Sequence, residues 1–154
     1  MVAALLLTWP EARGQANPAC KVQPHTLAEM HGCYRPLLVF APSAGDGRLK
    51  AQRDVLDHAA DDMMDRFVLM VPILEHRGSF TAPLDAPYAV LSPEAQSSIR
   101  RRFSVAPGRF KVVLIGEDGG AKLQADAPVT ADRLNTLIDR MPTRKIEADR
   151  PHAN

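Results

Sequence analysis

Two apolar runs of strand length, separated by one stretch of helical periodicity, constrain this chain more than any other feature. Residues 35–41 (RPLLVFA) and 67–74 (FVLMVPIL) are almost continuously apolar. They read as buried strands, because a strand covered on both faces loses the usual alternation of apolar and polar residues. Between them, Leu49, Val55, Leu56, Ala59, Ala60, Met63 and Met64 recur at helical spacing, with Lys50, Asp54, Asp57 and Asp61 on the other side. Residues 48–65 therefore read as one amphipathic helix, with Asp46 placed to cap it. Strands joined through a single helix make a parallel pair, and such crossovers are almost always right-handed.

The second half changes character. After His76 a long loop containing Gly78, Pro83 and Pro87 precedes Ser92-Pro93-Glu94. That triplet opens a helix with a cap, a proline at the first helical position and an acid at the positive end of the dipole. The helix runs to about Phe103. Residues 110–116 (FKVVLIG) read as a third strand, Glu117-Asp118-Gly119-Gly120 as a hairpin turn, and residues 121–124 as a short polar strand suited to a sheet edge. Thr130 caps a last helix carrying Leu134, Leu137, Ile138 and Met141, and Pro142 is expected to end it. The expected order is β-α-β-α-β-β-α, a four-stranded mixed sheet flanked by helices. The charged residues 143–154 are expected to form a disordered tail with nothing to bury.

The ends and the composition bear on location. Residues 2–7 are apolar, Trp9-Pro10 interrupts them, and Gly14-Gln15-Ala16 offers small residues for signal peptidase, so residues 1–16 read as a leader cleaved after Ala16. Asn17-Pro18-Ala19 before Cys20 lacks the leucine of a lipobox, and no lipid anchor is expected. A formal net charge of +1 gives no global field to gather nucleic acid, and no stretch is long and apolar enough to span a bilayer. The expected location is periplasmic or secreted, with a mature chain made of an N-terminal arm (17–33) and one domain (34–142).

Three strings carry a resemblance: RPLLVFAPSAGDGRLKAQ (35–52), RRFSVAPGRFKVVLIGEDGGAKL (101–123) and IDRMPTRK (138–145). Over about residues 34–146 the chain resembles a bacterial family known only as a domain of unknown function, and domains repeated in some vertebrate extracellular matrix proteins. That family is thioredoxin-like or peroxiredoxin-like, which implies an α/β fold of thioredoxin-like topology and assigns no chemistry. In this fold a redox cysteine sits where the first strand feeds its helix, because the helix N-terminus stabilises a thiolate. Here that loop reads Pro42-Ser43-Ala44-Gly45-Asp46-Gly47, without a cysteine. Pro107 lies in the loop that holds a cis-proline in thioredoxins, but Gly108 and Arg109 separate it from the strand.

The chain's two cysteines, Cys20 and Cys33, precede the first strand, and their spacing suits one disulfide pinning the arm. Cys20, His25, His31 and Cys33 have the residue types of a zinc site but not the spacing of a zinc knuckle, so no metal is expected. Arg100, Arg101 and Arg102 suit the negative end of a helix dipole, and Met63, Met64 and Met70 read as core. Ser43, Asp46 and Arg48 form a candidate ligand loop, since backbone N–H groups at a helix start beside a cation can hold a small anion. The resulting expectation is an exported, non-catalytic domain that binds a protein or small ligand through the Ser43 loop and the loop from His76 to Ser92. No cofactor, nucleic acid or membrane span is expected. The alternative is an envelope thiol redox protein that uses Cys20 and Cys33 in place of the missing cysteine pair.

Overall fold

The computed structural model describes residues 19–76, 80–83 and 86–149. The expected leader (1–16) and the last residues of the tail lie outside them. The elements are α1 (Leu27–Met30), β1 (Arg35–Ala41), α2 (Gly47–His58), α3 (Ala60–Asp65), β2 (Val68–Leu74), α4 (Pro93–Arg102), β3 (Lys111–Ile115), β4 (Ala121–Ala125), α5 (Ala131–Ile138) and α6 (Pro142–Ala148).

One sheet of order β2-β1-β3-β4 organises them. β1 pairs in parallel with β2, from Arg35↔Val68 to Ala41↔Leu74, and antiparallel with β3, which closes on β4 through a hairpin. Alternate strand residues feed two cores. Leu37, Val39, Ala41, Met70, Val112 and Leu114 pack with Leu49 and Leu56 of α2, Met63 of α3 and Leu134 of α5. Leu38, Phe40, Val71, Ile73 and Val113 pack on the other face with Met30 of α1 and Ile99 of α4. This double burial is why β1 and β2 are continuously apolar in sequence.

Pro72 is accommodated by its place on an edge strand. The Arg35 N–H donates to Phe67 O (2.7 Å), which turns the backbone groups of odd-numbered β2 residues toward β1 and those of even-numbered ones outward. The missing donor of Pro72 therefore falls on the outer side, where no ladder bond is needed. Asp46, Ser92 and Thr130 cap α2, α4 and α5 as expected, each side chain accepting from a first-turn N–H. In the β3–β4 turn Gly119 takes φ +79°, a left-handed conformation that favours glycine.

Three expectations are corrected. The helix read over 48–65 breaks at Ala59, where the His58 ring competes for the Asp54 carbonyl at 2.6 Å and the Ala59 N–H bonds back to Leu56 O. The break leaves Met63 in the core and Met64 exposed, whereas the helical spacing places both in the core. Pro142 does not merely stop α5: it occupies the first turn of α6, where its absent N–H costs nothing. Residues 143–148 consequently form a helix instead of a disordered tail. They have something to cover, because Arg35, fully buried at the start of β1, bonds Glu147 at 3.2 and 3.1 Å, Thr143 Oγ1 at 2.9 Å and Arg66 O at 2.8 Å. Glu117 stands 3.3 Å from the same guanidinium.

Candidate functional site

The carboxyl ends of β1 and β2 meet three loops. Glu75 N–H donates to Ala41 O (3.1 Å) and His76 N–H to Pro42 O (2.9 Å), so the two strands stay joined past their last residues. Arg100 reaches in from α4 and donates through Nη2 to Ala41 O and Ile73 O, at 3.1 and 3.2 Å, with its guanidinium 5.9 Å from the Phe40 ring centre. Burial pulls its pKa below the usual arginine range, with Glu75 opposing that effect. The loop before β3 is tied to the same place, because Gly108 N–H donates to Glu75 Oε2 at 2.8 Å. No cis peptide bond occurs among the described residues, so Pro107 is trans.

The Ser43 loop turns on its own bonds. The Asp46 N–H donates to Ser43 O (3.2 Å), and Asp46 Oδ1 accepts both the N–H of Arg48 (2.9 Å) and its Nε (3.0 Å), while Oδ2 accepts Nη2 at 2.7 Å. The side-chain hydrogen bonds from Arg48 hold the Asp46 carboxyl below the usual aspartate range. Arg48 in turn lies 5.3 Å from the Phe110 ring centre. An anion arriving here must compete with Asp46 for the Arg48 fork, so the pair presents a nearly neutral rim. Ser43 hydrogen-bonds no histidine or carboxylate among the described residues, and a serine without a base is a weak nucleophile.

The sulfur chemistry lies elsewhere. Cys20 and Cys33 form a disulfide, with Cα atoms 5.7 Å apart, at the amino end of β1. The seven residues of β1 put about 23 Å between it and the Ser43 loop, at roughly 3.3 Å per residue. The arm is fastened twice more: Tyr34 donates its hydroxyl to Lys21 O (2.6 Å), and Glu29 pairs with Lys21 and accepts the His25 N–H at 2.7 Å. Burial pushes the Tyr34 phenol up. The structure thus separates Cys20 and Cys33 from Ser43, Asp46 and Arg48, one group at each end of the same strand. Among the described residues, no group of three or more His, Cys, Asp or Glu side chains is placed to hold a metal ion.

Two polar links, one of them fully buried, escaped the sequence reading. Gln52 is fully buried on α2 and bonds reciprocally with Val129, its Nε2 donating to the carbonyl at 3.1 Å and its Oε1 accepting the N–H at 2.7 Å. Its signal was its position between Leu49 and Leu56, on the apolar side of the helix. Tyr88 donates to Asp57 Oδ1 at 2.7 Å, and burial with that carboxylate drives its phenol pKa far up. This bond fixes the returning end of the loop against α2.

Solved structures of the same topology place the fold. A thioredoxin peroxidase I of Plasmodium yoelii is 21% identical with a TM-score of 0.56, over 83% of this chain and 84% of that one. An exposed lipoprotein thioredoxin of Streptococcus pneumoniae is 15% identical with a TM-score of 0.54, over 75% and 90%. The thioredoxin domain of a thiol-disulfide oxidoreductase of Bacteroides vulgatus is 12% identical with a TM-score of 0.51, over 74% and 82%. At such identities the likeness establishes a thioredoxin-like fold and no activity. No match is found among curated proteins. A family model described as a domain of unknown function, DUF4174, matches residues 26–147, and the chain belongs to that family.

Proposed function

We propose that this chain is an exported, non-catalytic thioredoxin-like domain that binds a protein or a small ligand in the cell envelope. One observation carries the reading. Both cysteines are spent on a disulfide at the amino end of β1, while the loop where this fold performs thiolate chemistry holds Pro42, Ser43, Ala44, Gly45, Asp46 and Gly47. A structural disulfide suits an oxidising compartment, as do the apolar start and the small residues at 14–16. Among the described residues, no helix is long and apolar enough to cross a membrane. The binding surfaces of this reading are the Ser43 loop with its Asp46–Arg48 pair and the returning loop between His76 and Ser92.

The second reading, a thiol redox protein working through Cys20 and Cys33, is favoured by the disulfide itself and by the scaffold it shares with thiol oxidoreductases. Thiol titration of the folded protein, with and without reductant, and an insulin-reduction assay separate the two. A binding domain yields titratable thiols only after reduction and leaves insulin intact. Insulin turnover abolished by Cys33→Ser would establish the redox reading instead.

A further inference from the structure

The two ends of the sheet differ in how the chain covers them. At one end Met70 of β2 bonds to Pro87 O (2.7 Å) and accepts from the Ala89 N–H (2.9 Å), so the returning loop covers part of that edge. At the other end β4 pairs with β3, and no further backbone hydrogen bond reaches residues 121–125 among the described residues. Ala121, Lys122 and Gln124 are exposed, while Leu123 packs inward at 9%. Solvent therefore reaches the outer side of β4, and such an edge offers alternate N–H and C=O groups to a second extended chain.

α5 turns this edge into a groove. Leu134 and Ile138 pack in the same core as Leu123, which holds the helix alongside β4. Arg133, Leu137 and Arg140 follow one another by four and three residues, so they share one side of the helix and of the turn that extends it. With Lys122 and Leu123 of β4 they line an open groove of about 480 Å³.

Charge selects the occupant. Arg133 and Arg140 are exposed, and their side chains make no hydrogen bond or ion pair among the described residues. Lys122 is paired with Asp118 at 2.6 Å, and Asp132 is the one carboxylate among the described lining residues. Two guanidinium forks are thus left over, and each matches a carboxylate bidentately. Between them Leu123 and Leu137 supply an apolar floor. A second copy of this chain would set Lys122, Arg133 and Arg140 against their own counterparts, an arrangement that repels. An uncharged strand would gain nothing from either arginine.

We propose that this groove binds an extended acidic segment of a partner protein, added to the sheet as a fifth strand beside β4. Its carboxylates meet Arg133 and Arg140, and an apolar side chain between them lies against Leu123 and Leu137. Main-chain pairing supplies the affinity in this mode of recognition, and the flanking side chains supply the choice of partner. The surface uses neither the Ser43 loop nor the returning loop, so it goes beyond the function proposed above and stands or falls separately from it.

The test uses the full chain with its disulfide intact and a fluorescent peptide of alternating glutamate and valine, blocked at both termini, followed by anisotropy at low ionic strength. Saturable binding is expected, weakened about tenfold or more by Arg133→Glu, by Arg140→Glu, and by exchange of the peptide's glutamates for lysines. Both arginines are exposed and unpaired, so unchanged urea midpoints verify that the variants fold. Two further copies of the peptide carry N-methyl groups, one on its glutamates and the other on its valines. An added strand pairs through one of its edges, so one copy is expected to bind as the parent does and the other about tenfold more weakly. Equal effects in the two copies overturn the strand pairing. Equal affinity of wild type and both arginine variants, or of the acidic and basic peptides, overturns the groove. Failure of a monomeric wild type to bind overturns both, and so does a stable dimer that excludes the peptide, since the edge then belongs to a second copy. Insulin reduction, assayed alongside, reports only on the proposed non-catalytic function.

Discussion

Removing the Glu147 carboxylate should destabilise the domain as a buried ion-pair defect does, although Glu147 sits within a charged segment near the end of the chain. Arg35 is fully buried, and Glu147 accepts from both of its terminal nitrogens, at 3.2 and 3.1 Å. Stranding one partner of a buried pair costs about 3–5 kcal/mol, because the remaining charge keeps its desolvation penalty without its compensation. Here the loss is moderated: Glu117 stays within 3.3 Å, and Thr143 Oγ1 and Arg66 O go on accepting at 2.9 and 2.8 Å. For Glu147→Ala we therefore expect about 2–3 kcal/mol, and for Glu147→Gln, which keeps an acceptor, about half of that. In a chain of 154 residues this corresponds to a fall in Tm of roughly 4–12 °C for the alanine variant. Urea unfolding at neutral pH gives the measurement, with the midpoint falling and the m-value unchanged. Truncation after Met141, which also removes Thr143, should cost at least as much. Changes within about 0.5 kcal/mol for all three would be those of a solvated tail and would refute the docking of α6 onto Arg35.

Three further outcomes are expected. Cys20→Ser and Cys33→Ser should each cost about 3 kcal/mol by denaturant unfolding, and the double variant little more, since either change removes the same short loop closure. Asp46→Ala should cost about 1 kcal/mol by the same assay through loss of the α2 cap, whereas Ser43→Ala should leave disulfide-reductase and peroxidase assays at the background of wild type. Hydrogen bonds from Arg66 and Arg48 depress the pKa values of Asp139 and Asp46 below their usual 3.8, so these groups add stability that is complete above that value and is lost as pH falls through the lower folded pKa. The urea midpoint should thus be level down to about pH 5 and drop below about pH 4, less steeply in Asp139→Asn. A midpoint that rises on acidification would contradict the assignment.

What the sequence made legible is what local chemistry decides. The runs of β1 and β2 stand out because burial on both faces removes their alternation. The caps at Asp46, Ser92 and Thr130 are read from a side chain and an N–H two or three residues later. The loop lacking cysteine was equally plain, since the step from strand to helix that aims it is contiguous in sequence. The polar strand read at a sheet edge is β4, at the end of the sheet opposite β2. What stayed hidden depends on partners far apart in the chain. Arg35 opens an apolar run and looks like an ordinary flanking cation, because arginine is seldom fully buried without partners. Its partner Glu147 lies 112 residues away, and neither residue alone signals the pair. The exposure of Met64 is hidden for a related reason: its spacing places it in the core, and the break at Ala59 turns it outward. On this scaffold the site inherited from the fold is local and can be inspected for missing chemistry in the sequence. Links that join distant segments, such as Arg35 with Glu147 and Tyr88 with Asp57, are set by the folded chain and by no local pattern.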